Sequence, residues 1–399
     1  MDKNICFLNS NNDSGLLAFG GGEMRSLHND GAIDQLSKFL DKHKGQYVFL
    51  CLSYDLKNEI ENLSSENTDL SSFPDLVMWK PECVVDIKKN ALKVVQGEDN
   101  THNLGFASEF LKDHKHSTQG KQNINFEARI TKEVYLKKVK ELKNHIQRGD
   151  IYEINFCQEY FAQNVENDTI NDLYFNINNT TKAPFSSYFK FGDFEIFCGS
   201  PERFIQKNQG RLIAQPIKGT APRASNPNED KALKQLLKQD PKERAENIMI
   251  VDLMRNDLSK IAKKKSVHVD ALCEIHSFET VHQMISTVSC VPKENLSFTD
   301  VLKATFPMGS MTGAPKYRAM ELIEAFEDFK RGLYSGSIGY ISPNGDFDFN
   351  VVIRTMIYNA RLKTLSCSVG SAITINSIPE KEYEECGHKI QKIIDGICR

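Results

Sequence analysis

The chain has 399 residues, 40% of them hydrophobic and 26% charged, with a formal net charge of −3. That composition suits a globular protein with ample length for a large core, and the lack of a basic field argues against nucleic acid or an anionic membrane as the main partner. The N-terminal "MDKNICFLNSNNDSG" has no apolar signal-peptide core, no apolar run is long enough to span a bilayer, and the ten cysteines are scattered without a CxxC pair, so reduced core thiols in a cytoplasm are expected rather than a disulfide framework or a zinc site.

In chain order, "QYVFLCLSYDL" predicts a buried strand followed by a turn, and "PECVVDIKKNALKVVQGE" a hairpin with "KKN" at its tip. Residues 101–126 are largely hydrophilic and read as a mobile connector or a solvated face. The pattern then becomes regular. "TKEVYLKKVKELKNHIQRGD" predicts a helix with Val134, Val139, Leu142 and Ile146 on its apolar side and Gly149 at its end. A strand ("IYEINFCQEYFA"), successive short strands over 185–217, two helical segments broken before Pro241, further strands over 266–292, a helix near "AMELIEAFEDF", more strands and a last helix over 379–396 complete the chain. Strands and helices mix without regular βα alternation, which predicts an α+β or layered α/β domain and not a doubly wound sheet.

Several constellations carry chemistry. In "NSIPEKEYEECGHK", Ser377 and Glu380 read as a capping box, and Glu382, Glu385 and Lys389 fall on one helical face. That face reads as a solvated ion pair or as two carboxylates for a hard divalent cation, since Mg²⁺ takes one or two protein carboxylates and fills its shell with water and substrate oxygens. Glu246 stands at the edge of the apolar stretch 248–251, where it caps, pairs or ligates. Asp252, Arg255, Asn256 and Asp257 place polar groups in an apolar helix, as in a structural network. Glu202, in "SPERF", ends a strand and is either exposed turn chemistry or a cleft acid. "FPMGSMTGAPK" is a small-residue loop ending in Lys316, without P-loop spacing. Arg354, inside the apolar "VVIRTM", needs an anionic partner from the protein or a substrate. Lys218, in "QPIKGTAPR", follows a strand-like run and precedes the small turn Gly219-Thr220, a setting for a nucleophile or an anion anchor.

Taken together and in order, "PIKGTAPR", "ENIMIVDLMRNDL", "FPMGSMTGAPKYRAMELI", "YSGSIGYI", "VVIRTMIY" and "PEKEYEECGHK" closely resemble the chorismate-utilising enzymes, a family that holds the anthranilate synthases, the aminodeoxychorismate synthases, and the isochorismate and salicylate synthases. The resemblance is continuous from about residue 127 to the C-terminus and faint over 1–126, which it makes a divergent portion of the same fold beside a catalytic region 127–399. It implies one large α+β domain, a two-sheet β-sandwich core with helices packed outside and the site in a cleft. Anthranilate synthases typically read P-I-A-G-T where Lys218 stands, and aminodeoxychorismate synthases carry lysine. The resemblance thus implies that Lys218 attacks C2 of chorismate while the 4-hydroxyl leaves, that ammonia adds at C4, and that Lys218 has a lowered pKa. It further implies Glu202 as general acid and Glu246 and Glu385 as Mg²⁺ ligands with Glu382 beside them. Lys389, Arg354 and Tyr334 would contact substrate carboxylates, and Thr312, Gly313, Gly370, Gly219 and Thr220 would line the pocket. A separate glutamine amidotransferase would supply the ammonia, since no G-x-C-x-G elbow occurs, and the product would feed p-aminobenzoate and folate.

Three positions depart from the family pattern. Glu153 occupies a place where aminating members usually have glutamine. "GSAI" (370–373) replaces a "GAGI" segment. Gln283 stands where the family has its active-site histidine, with His282 one position early, on the opposite face of a strand. The rival readings are anthranilate synthase, against which Lys218 and the absence of an "LLES"-like segment argue, and a non-catalytic paralogue, against which the intact Lys218, Glu202, Glu246 and Glu385 argue.

Overall fold

The computed structural model describes residues 4–28, 31–89, 91–113, 124–170 and 172–397. Short apolar strands such as Val48–Leu52 cannot satisfy their backbone alone, and here they pair side by side in antiparallel ladders. One ladder path begins at Glu153–Ala162 and passes through Thr364–Ile373, Thr355–Asn359, Phe194–Ser200, Phe185–Phe191 and Asn4–Asn9. It then crosses Ser14–Leu27 and Leu76–Lys88, two long strands that bend between layers. From there it returns through Val48–Leu52, Ser337–Ile341, Phe347–Asn350, Arg203–Asn208, Arg211–Gln215 and Val281–Cys290.

The two halves of this path face each other across a dry interior that includes Ala18, Phe49, Trp79, Phe189, Cys198 and Ile338. Helices Lys132–Arg148, Leu173–Thr181 and Pro379–Ile397 cover one outer face. Ala32–Lys42, Pro241–Ile261 and Phe298–Thr305 cover the other. This is the expected two-sheet sandwich with helices outside. Residues 4–113 supply several of its strands and are woven into it. The nine cysteines among the described residues are free and buried, and no described helix is long and apolar enough to cross a membrane.

The local departures from expectation have physical causes. The segment 101–126 is not a connector throughout: Thr101–Asp113 is a helix, because its apolar side packs Ala107 and Phe110 into the core. Residues 114–123 lie outside the described ones. In Lys132–Arg148 the third core residue is Tyr135, while Val134 is 39% exposed. Ser377 makes no capping box. Its hydroxyl donates to Ala372 O and accepts from Thr374 N–H, and Ile378 O takes the first helical bond, from Glu382 N–H. The network expected around residues 252–257 forms in part. Asp257 is buried and holds Lys316 and Lys260, whereas Asp252 and Arg255 pair on the surface.

Behind the strand that carries Glu153, Arg331 is buried against Glu327 (2.6 and 2.8 Å) and donates to the carbonyls of Met311 (2.7 Å) and Asn155 (2.8 Å). Removing one partner of such a pair leaves an uncompensated charge. Arg331→Ala is therefore expected to destabilise the fold by about 3–5 kcal/mol, read as a lower urea midpoint. An unchanged midpoint would show that water replaces the guanidinium.

Candidate active site

Two cavities of about 500 Å³ each open on the sandwich. In the first, the charges are already matched: Arg203 grips Asp348 through two hydrogen bonds (2.8 and 2.9 Å) and Lys88 pairs with Asp86 at 2.9 Å. The second, where Val281–Cys290, Ile217–Pro222 and the end of Thr364–Ile373 meet the helices Pro241–Ile261 and Pro379–Ile397, also holds Arg354, whose charge has no ion pair among the described residues.

Eleven of the thirteen residues expected at the site line this second cavity: Glu202, Lys218, Gly219, Thr220, Glu246, Tyr334, Arg354, Gly370, Glu382, Glu385 and Lys389. Thr312 and Gly313 do not. Thr312 is fully buried with its hydroxyl on Met308 O and Gly309 O, and Gly313 pairs with Ile154. They brace the strand behind the wall because a Cβ at Gly313 would come within 2.2 Å of Glu153 O. Lys316, held by Asp257 and by Thr305 O at 3.1 Å, likewise faces away.

Lys218 lies on the strand Ile217–Pro222, beside a register shift against Val281–Cys290. Asn247 anchors that strand to the helix, its amide donating to Lys218 O (3.4 Å) and Met284 O (3.2 Å). The ammonium, 12% exposed, donates to Glu153 Oε1 at 2.8 Å. Burial alone would depress its pKa, but Glu153, Glu246 and Glu202 more than offset that and hold it raised. That direction is opposite to the lowered pKa which the resemblance implied, because a carboxylate stands where glutamine was the family norm and favours the ammonium form. Glu153 Oε2 has no hydrogen-bond partner among the described residues.

Glu202 sits between two strands, buried, and accepts from Ser310 Oγ at 2.7 Å. Burial raises its pKa to about 7 against the pull of Ser310, Lys218 and Arg354, so it holds a proton near neutrality. Arg354 is not in a strand. It occupies a bend with φ 52° after Phe347–Asn350, where Gly199 N–H binds its carbonyl. Its guanidinium makes no hydrogen bond or ion pair among the described residues, and burial lowers its pKa with Glu202 opposing. A half-buried arginine without a partner is a ready anion site. Lys389 pairs with Glu385 at 2.7 Å and donates to Gly370 O at 2.9 Å. A Cβ at Gly370 would meet Cys157 Sγ at 2.6 Å, so the glycine is required.

Glu246 is buried, its Oε1 has no hydrogen-bond partner, and burial raises its pKa to about 7. Glu382 accepts from Ser371. Lys242, which sequence reasoning missed, stands 3.8 Å from both Glu246 and Glu382. No set of three His, Cys, Asp or Glu side chains converges on a metal position among the described residues. A hexahydrate-type cation needs only one or two carboxylates, and Glu246, whose Oε1 has no hydrogen bond among the described residues, with Glu385 across the cavity suits that demand. Lys392 and His388 also line the cavity. Lys392 was legible as the next turn of the face carrying Glu385 and Lys389.

The profile of the chorismate binding enzymes matches residues 10–395. The chain belongs to this family. Among similar chorismate binding proteins, aminodeoxychorismate synthase component 1 of Klebsiella aerogenes is 39% identical over 267 residues, covering 67% of this chain and 58% of that protein. Anthranilate synthase component 1 of Aquifex aeolicus is 37% identical over 276 residues, covering 68% of this chain and 54% of that one. The solved anthranilate synthase component I of Streptococcus pneumoniae superposes with a TM-score of 0.78 at 27% identity, over 99% of this chain and 91% of that one. The match thus spans little more than half of these two relatives' own length. Within the family pattern, His282 is no stand-in for the histidine: it turns away from the cavity to Ser277 (2.9 Å) and Asp230 (3.0 Å), while Gln283 faces in.

Proposed function

We propose that this protein is an aminodeoxychorismate synthase of the component I type, converting chorismate and ammonia to 4-amino-4-deoxychorismate and water, with Mg²⁺ and with ammonia delivered by a glutamine amidotransferase subunit. The observation that carries this reading is Lys218, a partly buried lysine facing the cavity 2.8 Å from a carboxylate. Transfer of its proton to Glu153 leaves an amine able to attack C2. Both ring double bonds shift, the C4–O bond breaks, and the leaving oxygen takes the proton held by Glu202 and departs as water. Ammonia then forms the C4–N bond, the double bonds return, the C2–N bond to Lys218 breaks, Glu153 gives its proton back to Lys218, and the proton shed by the new C4 ammonium restores Glu202. Arg354 and Tyr334 would hold one substrate carboxylate and Lys389 the other. Glu246 and Glu385 would hold Mg²⁺, with Glu382 beside them; when bound, the ion supplies positive charge that binds the ring carboxylate and disfavours the ammonium form of Lys218. The aminated product would serve p-aminobenzoate and folate synthesis, and the enzyme would work in the cytoplasm.

A second reading is anthranilate synthase component I, favoured by the similarity to the Aquifex and Streptococcus proteins. Purified protein given chorismate, Mg²⁺ and ammonium at alkaline pH separates the two. An amino-for-hydroxyl product by mass, converted to p-aminobenzoate by an added lyase and lost with chelator, is the expected result. Fluorescent anthranilate would transfer the protein to the second reading.

Arg354→Ala is expected to raise KM for chorismate by roughly 10- to 100-fold, the worth of a charge-assisted hydrogen bond, with an unchanged melting temperature because no ion pair is broken. A lower melting temperature with unchanged KM would make Arg354 structural.

A further inference from the structure

Among the described residues, three buried side-chain oxygens around Lys218 lack a hydrogen-bond partner: Glu153 Oε2, Glu246 Oε1 (with Lys242 Nζ 3.8 Å away) and Gln283 Oε1. All three are acceptors. A buried acceptor left unmet is costly, so each is suited to a donor or a cation. Chorismate brings two carboxylates, an ether and a single hydroxyl. Its carboxylates would be met by the donors of the cavity, Arg354, Tyr334 and Lys389, and its hydroxyl by Glu202. Glu246 is suited to the divalent cation. That leaves Glu153 and Gln283, which flank Lys218: Glu153 touches it at 2.8 Å, and Gln283 is the register partner of Thr220, two residues along the same strand. Gln283 is 1% exposed, on the cavity side of a strand whose other face carries His282.

We propose that Gln283 Oε1 is the acceptor that holds the incoming ammonia, on the Lys218 side of the cavity. The inference rests on the function proposed above and adds the subsite for its second substrate. The residue type suits the task. A carboxylate alone would favour ammonium, which has no lone pair to donate. An amide carbonyl accepts an N–H from neutral ammonia and neither takes nor gives a proton.

The test is steady-state kinetics with ammonium as nitrogen source, KM expressed per free ammonia, on the wild type, Gln283→Met and Gln283→His. Gln283→Met keeps length and removes the acceptor. It is expected to raise KM for ammonia about three- to tenfold, the worth of one hydrogen bond, and to leave KM for chorismate within about twofold. Gln283→His restores an acceptor only while the ring is neutral. Its ammonia KM should approach the wild-type value at alkaline pH and rise as pH falls through the imidazole range near 6.5, where the wild type stays flat. An unchanged ammonia KM in Gln283→Met, or a rise confined to chorismate, would overturn the inference and leave the proposed function standing. A flat profile in Gln283→His would overturn it too. A wild-type enzyme that forms no aminated product would overturn both.

Discussion

Lys218→Ala is expected to lower ammonia-dependent turnover by about 10³-fold or more, the scale on which loss of a covalent nucleophile acts, while chorismate still binds. The argument is geometric. Among the described residues, Lys218 Nζ is the one amine in the cavity hydrogen-bonded to a buried carboxylate, 2.8 Å from Glu153 Oε1, with Glu202 and Glu246 close enough to act on its charge. The substitution also strands Glu153, which is 1% exposed and then has neither oxygen paired. Part of any activity loss would therefore come from a destabilised fold. Lys218→Ala combined with Glu153→Gln removes that charge. If the double variant melts like the wild type and still fails to turn over, the loss is chemical. Turnover near the wild-type level in either protein would remove Lys218 as nucleophile.

Glu202→Gln is expected to cost 10²- to 10⁴-fold in kcat/KM for chorismate, the usual worth of a positioned general acid. Glu202 must carry its proton to act. Burial lifts its pKa to about 7, so the wild-type rate, corrected for free ammonia, should fall as pH rises through about 7, and Glu202→Gln should lack that limb. The same shift bears on stability. The folded carboxyl keeps a proton that the unfolded chain, at 4.5, has released. This contribution is therefore full below about 4.5 and is lost as pH rises through about 7. In Glu202→Gln that part of the pH dependence of unfolding should vanish. A wild-type profile flat from pH 6 to 8 would exclude Glu202 as the acid.

Much of the site was legible because it is written in short segments whose geometry is local. Glu382, Glu385 and Lys389 share a helix face at any tertiary arrangement, and Gly219 and Thr220 accompany Lys218 on one strand. The segments that misled are those whose outcome depends on what packs beside them. Residues 101–113 look hydrophilic but bury Ala107 and Phe110. Thr312 and Gly313 belong to a conspicuous loop, yet the close approach of Glu153 O puts them behind the wall. Arg354 left its apparent strand because a bend with positive φ turns the chain there.

The sequence by itself determined the family, the mixed α+β architecture and the types of charged group that the cavity assembles, since periodicity, capping and motif order are properties of contiguous residues. Tertiary structure alone decided the protonation and partnership of those groups. Lys218 and Glu153 are 65 residues apart, as are no two members of a single element, and their contact raises the pKa that sequence reasoning expected to be lowered. Which carboxylates are buried without a partner, and which cation is left free, follows from desolvation and from distances across elements. Neither quantity is encoded in spacing along the chain.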